Sequence, residues 1–297
     1  MALGYGVVVG STIVPAAGLA AAPANLAESP ENSFLWQIET PTNTVYLLGS
    51  IHFLAPENYP LPTAMQTAFA EAEYLVLEAD VGPGTEFATA MLLFDKAVPE
   101  PGEMLTEVLG PESYELAAQR AEALGMGMGF FDQYEPWFLS VTLTSLQLLS
   151  LGFSPEYGVD LHFYGQAQAS ETPILFLETV EQQFDLFEQL SIDEQRSFTE
   201  QTLAELDLFE ASFDEVLAAW KAGDGDRMAE ILLTGFENYP GMQDIFLGDR
   251  NRDWVTQILP WLQTDDDYLI VGGALHLVGP DNVLELLEAE GYNAKQL

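Results

Sequence analysis

Four short apolar runs in this chain each stop at a residue able to do chemistry, and that pattern narrows the fold more than anything else in it. Val45-Tyr46-Leu47-Leu48 runs into Gly49-Ser50-Ile51-His52, and Tyr268-Leu269-Ile270-Val271 into Gly272-Gly273-Ala274-Leu275-His276. Tyr74-Leu75-Val76-Leu77 meets Glu78, and Pro173-Ile174-Leu175-Phe176-Leu177 meets Glu178. Runs of this length and composition read as buried strands. A strand apolar on both faces needs cover on both, as in the interior of a helix-wrapped sheet. Glycine after such a strand allows a sharp turn or a close backbone approach. Open α/β sheets place their ligand sites just past the carboxyl ends of the strands. Two of the three histidines fall in this one context. His52, Glu78, Glu178 and His276 are therefore expected to share a site at one end of a sheet. Their order along the chain, His-Glu-Glu-His, suggests two related halves.

The remaining pattern is a hairpin and many helices. Residues 34–40 and 44–48 read as paired strands around a Pro41-Thr42-Asn43 turn. Helical periodicity is expected at 61–72, 86–96, 111–124, 136–151, 158–169, 179–189, 193–208, 213–222, 225–234, 250–262 and 282–290, with Pro111 and Pro136 suited to helix starts. Gly125-Met126-Gly127-Met128-Gly129 reads as a joint between helices. The expected fold is α/β (α+β): one domain over 34–297, with a mixed central sheet and helical blocks inserted at about 85–157 and 180–248. Its 297 residues, 48% hydrophobic, suffice for such a core.

Charge narrows the partners. Against 47 Asp plus Glu there are 8 Lys plus Arg, a formal net charge of -39. Such a field repels nucleic acid and anionic membrane surfaces, leaving a peptide or small-molecule substrate. An acidic, lysine-poor surface fits work at high salt, where screening shortens self-repulsion, so a halophilic habitat is expected. No cysteine is present, which removes thiolate ligands and nucleophiles. Residues 1–27 carry no charged side chain and offer A-x-A-like cleavage options around Ala20-Ala21-Ala22-Pro23-Ala24. They read as a signal peptide lacking its basic start, and the mature chain as exported, periplasmic or extracellular.

Two imidazoles and two carboxylates suit a divalent ion such as Mn, Co, Fe or Zn, which would polarise a carbonyl and acidify bound water. They equally suit a metal-free scheme in which His52 or His276 is the general base, oriented by a Glu. Asp249-Arg250-Asn251-Arg252 concentrates two of the rare cations just before the last apolar run. Arg250 is assigned to the site, where a guanidinium would bind carboxylates or a developing oxyanion, and Arg252 to the surface. His162, in a helical stretch with no strand end beside it, is expected to be non-catalytic. No G-x-S-x-G elbow, P-loop, G-x-G-x-x-G or H-E-x-x-H occurs.

Beyond the two glycine–histidine motifs, Leu77-Glu78-Ala79-Asp80, Gly158-Val159-Asp160, Leu177-Glu178-Thr179-Val180-Glu181-Gln182-Gln183, Asp249-Arg250-Asn251-Arg252-Asp253-Trp254 and Gly291-Tyr292 together make the chain resemble the TraB/GumN family, which includes the Tiki proteins. The resemblance implies a fold shared with erythromycin esterases and the ChaN haem-binding lipoproteins. From Tiki proteins it implies a metal-dependent protease using Mn or Co, with His52, Glu78, Glu178 and His276 in the site as ligands. Gly273 is the glycine matching the second Gly-x-x-His. The alternatives are a ChaN-like module that holds haem or another ligand without catalysis, and a metal-free esterase.

Overall fold

The computed structural model describes residues 33–99, 104–236 and 239–297. The expected signal segment at 1–27 lies outside them. The hairpin forms as its sequence requires: Leu35–Glu39 (β1) pairs antiparallel with Thr44–Ser50 (β2), and Thr40 and Asn43 close the turn by hydrogen bonds. Tyr74–Leu77 (β3), Ile174–Phe176 (β4) and Tyr268–Gly273 (β5) follow. Lys295–Gln296 (β6) adds a short outer strand that its polar sequence does not advertise. The sheet order is β4-β3-β5-β2-β1-β6, with the first four strands parallel and the hairpin and β6 antiparallel, so the sheet is mixed.

Alternation along the strands splits the core in two. Tyr46, Leu48, Leu75, Leu77, Leu269 and Val271 face the larger cluster, built on the inserted helices. Val45, Leu47, Val76, Tyr268 and Ile270 face a smaller one, roofed by the helices Asp249–Trp261 and Val283–Ala289. Every residue of β5 is buried, as its central place demands.

Most expected helices form close to their expected bounds, among them Glu86–Lys96, Pro136–Ser150, Val159–Ser170 and Gly225–Leu233. Leu105–Ala123 begins earlier than expected but breaks at Gly110, where φ is 70°, so Pro111 does start a helical segment. The two inserted blocks pack on each other: Trp137 stacks on Phe187 at 4.4 Å, and Thr199 joins Ser140 and the Pro136 carbonyl through buried hydrogen bonds. Among the described residues no helix is long and apolar enough to cross a membrane.

Candidate active site

Because β4, β3, β5 and β2 run parallel, the residues that follow them emerge at one edge of the sheet. Gly49 pairs with Gly272 and Ser50 with Gly273, so the two glycine endings lie side by side. The Glu178 N–H donates to the carbonyl of Glu78 at 2.7 Å, so the two glutamates are also neighbours. Across the sheet the order is Glu178, Glu78, His276, His52. The mirror order of the sequence becomes a sorted one, carboxylates on one side and imidazoles on the other.

Gly273 lies where they meet. A methyl group placed on it would sit 3.1 Å from Glu78 Oε1, 3.6 Å from His52 Nε2 and 3.7 Å from His276 Cδ2. The loop carrying His52 is held from outside the sheet. Val159 N–H donates to Ile51 O, Leu54 bridges to Ser154, and the Trp220 indole donates to Gly49 O at 2.7 Å. Gly158 packs against this loop so closely that any side chain there would run into the His52 carbonyl.

His276 is buried and His52 largely so, and both are orientated through Nδ1. His52 Nδ1 is 2.7 Å from Asp160 Oδ2, and His276 Nδ1 is 2.6 Å from Asn251 Oδ1. The Asn251 amide donates to Asp281 O, which turns its oxygen towards His276, so His276 carries its proton on Nδ1. Trp254 packs on the His276 ring at 4.1 Å. Both Nε2 atoms are buried and have no partner among the described residues. Buried polar atoms are rarely left so, and a pair of them in one cavity wall marks a place for a ligand.

The two imidazoles are driven apart in proton affinity. Burial pushes His52 down, but the adjoining Asp160 carboxylate outweighs it and, with Glu78, raises His52 to about 9. His276 is held well below its ordinary value by burial, then by the charges of Arg250 and His52. In an NMR titration of imidazole nitrogens without added metal, His52 is expected to stay protonated at pH 7 and titrate near 9. His276 should titrate well below its ordinary value of 6.5; a common midpoint near 6.5 would contradict the arrangement.

Arg250 lies on the carboxylate side. It follows a single π-helical turn, Asp244–Gly248, and donates from Nη1 to Phe246 O. Its Nε and Nη2 donate to Glu178 Oε1 and Oε2 at 2.8 and 3.0 Å, and Nη2 also donates to Glu78 Oε2 at 2.9 Å. Glu178 Oε1 accepts from the Trp254 indole as well, and Glu78 from Gln183 Nε2 and Gly273 N–H. Burial raises the Glu78 pKa, against the pull of Arg250 and His52. Arg252 is half exposed and pairs only with Asp249. His162 Nε2 is engaged by the amides of Gln66 and Gln166.

The expected four-ligand set meets this geometry only in part. Two unpartnered Nε2 atoms with pinned Nδ1 positions suit a divalent ion, since ligating histidines are commonly fixed through the other nitrogen. Glu78 Oε1 accepts one hydrogen bond and keeps a lone pair beside them. Glu178 Oε1 accepts from both Arg250 and Trp254 and Oε2 from Arg250, so Glu178 serves first as counter-charge to the guanidinium. Among the described residues no three His, Asp or Glu side chains are spaced around a common ion position. Asp160, Asn251, Gln183 and Trp254 all lie inside motifs legible in the sequence, but their partners are set only by the fold.

A mixed sheet whose parallel strands lead to histidines and acids at one edge, wrapped by helical insertions, defines an α/β protein with a candidate strand-end site. The chain matches the TraB/PrgY/gumN family over residues 34–296, and it belongs to that family. It is similar to "Uncharacterized protein YbaP" of Escherichia coli (strain K12), 25% identical over 261 residues that cover 86% of this chain and 94% of the relative. It is equally similar to the protein of that name from Shigella flexneri, with the same identity and coverage. No solved structure matches it.

Proposed function

We propose that this chain is a metal-dependent hydrolase, a peptidase of the Tiki type acting outside the cytoplasm. The observation that carries the reading is the pair of buried, unpartnered Nε2 atoms on His52 and His276, each with Nδ1 already pinned. Charge supports it too. Three carboxylates (Glu78, Glu178 and Asp160) against one guanidinium leave one negative charge while His52 is protonated, and two, the complement of a divalent cation, once the ion displaces that proton from Nε2.

His52 and His276 would hold the ion through Nε2, and an ion such as Mn or Co supplies Lewis acidity and a more acidic water. The protein's own groups do the rest. Glu78 Oε1, whose burial raises its proton affinity, takes the proton of the attacking water. Arg250 keeps Glu78 anionic and holds Glu178 beside it. Asp160 and Asn251 keep the two rings from turning.

Chelator treatment is expected to abolish turnover of peptide substrates, and Mn or Co to restore it in the wild type but not in His52→Ala. Turnover of esters untouched by chelator would instead establish a metal-free esterase. His276 supports that second reading, because it is neutral with a free Nε2 and so is already a base. A haem-holding module finds no such support: the cavity beside the histidines offers ≈ 30 Å³, far below the roughly 300 Å³ at which ordinary ligand pockets begin.

A further inference from the structure

Two cavities of similar size adjoin His52, and only one of them also bears carboxylates. One, ≈ 30 Å³, has His52 and His276 on one side and Leu148, Phe213, Val216, Leu232 and Leu247 on the other. The second, also ≈ 30 Å³, is lined by His52, Glu78, Asp160 and Gln183 together with Leu77, Ala79 and Val81. His52 is the wall they share. A substrate whose reacting bond lies at His52 therefore presents one flank to a chamber walled by aliphatic and aromatic side chains and the other to one that carries Glu78 and Asp160.

The apolar chamber is the selective one. Its walls come from helices inserted into the sheet, and Leu148, Phe213, Val216 and Leu232 are almost wholly buried, so it cannot widen without disturbing the core. A space of this size takes roughly one water-sized group, whereas about 150 Å³ is needed to admit a benzene ring. The polar atoms of the lining, on Ser50 and the two histidines, belong to the sheet edge, and the helix side gives a water or hydroxyl no partner. A methyl group suits it.

We infer that the substrate places a small aliphatic group, the size of an alanine side chain, in the chamber formed by Leu148, Phe213, Val216, Leu232 and Leu247 beside the two histidines. The sheet edge supplies the chemistry and the helical insertions the selection. This rests on the hydrolase reading for turnover, but not for binding.

Position 216 tests it in both directions. With the full chain and added Mn, cleavage of peptides differing at one residue (Ala, Leu or Phe) is followed by mass spectrometry. Binding of the N-acetyl amides of the same three residues is followed by NMR shifts, with and without metal. The wild type is expected to favour Ala over Leu by at least tenfold in both readouts and to reject Phe. Val216→Ala, which enlarges the chamber, should move the Ala-to-Leu ratio towards one, and Val216→Leu should weaken Ala itself by about tenfold. Leu232→Val is the milder enlargement should Val216→Ala fail to fold. Size-ordered binding without cleavage in any metal would sustain the chamber and sink the hydrolase reading. A wild-type preference for Leu or Phe, substitutions that shift the ratio less than twofold, or amides that bind in no size order would overturn the inference.

Discussion

Arg250→Ala is expected to lower stability by about 3–5 kcal/mol, the usual cost of stranding a buried charge. The residue is 5% exposed and pairs with two carboxylates that are nearly as buried. Removing it leaves Glu78 and Glu178 adjacent, desolvated and facing each other's charge. Glu78, whose proton affinity burial already raises, then takes up a proton and can no longer serve as a base. Turnover should therefore fall at least tenfold in whatever fraction stays folded. From the sequence, Arg250 is expected to act on the site with the fold left intact; the buried ion pair adds a structural role. The two roles separate in a triple variant, Arg250→Met with Glu78→Gln and Glu178→Gln. Replacing the whole buried ionic cluster should recover much of the stability and none of the activity. Arg252→Ala, which loses only an exposed pair with Asp249, should stay within about 1 kcal/mol of wild type. Urea unfolding midpoints for these proteins decide the matter, and an Arg250→Ala midpoint matching that of Arg252→Ala would remove Arg250 from the centre of the site.

Arg250 also shows what a sequence of this kind discloses. It was legible because cations are so scarce here that two within three positions call for a reason. The strand ends were legible because β2, β3 and β5 must be covered on both faces, which leaves unbroken apolar runs that stop abruptly at the chemistry. The direction of Glu178 was not. A glutamate past a strand end looks the same whether it faces an imidazole or a guanidinium, and only the packing of the Asp249–Trp261 helix under the sheet makes Arg250 and Trp254 its partners. Asp160 and Asn251 were hidden for a related reason. Each lies 25 or more positions from the histidine it holds, in a helix whose docking no local pattern specifies. β6 was missed because Lys295–Gln296 has neither length nor apolar character, and it pairs with β1 only because the hairpin leaves that edge open.

The hidden partner of His52 yields the sharpest pH dependence. A histidine whose folded pKa lies above its unfolded value stabilises the fold while it is protonated in both states. That contribution is whole below pH 6.5 and disappears as the pH rises through about 9. At about 1.4 kcal/mol per pH unit of displacement, the loss across this interval is on the order of 3 kcal/mol. Asp160→Asn removes the carboxylate that holds the proton, leaves burial opposed by Glu78 alone, and should bring the His52 titration well down from about 9. The variant should then unfold more easily than wild type at pH 6 and approach it at pH 9.5, where His52 is largely neutral in both. An amide at 160 can also turn its NH₂ towards Nδ1 and force the imidazole proton onto Nε2, the atom left open for a ligand. Affinity for Mn or Co, and turnover with it, should therefore fall by about 10- to 100-fold, the usual loss when the group orienting a ligating histidine is changed. Urea unfolding at both pH values, alongside the NMR titration of His52, measures the effect directly. Parallel stability curves for the two proteins, with His52 still titrating near 9, would show that Asp160 does not hold the proton.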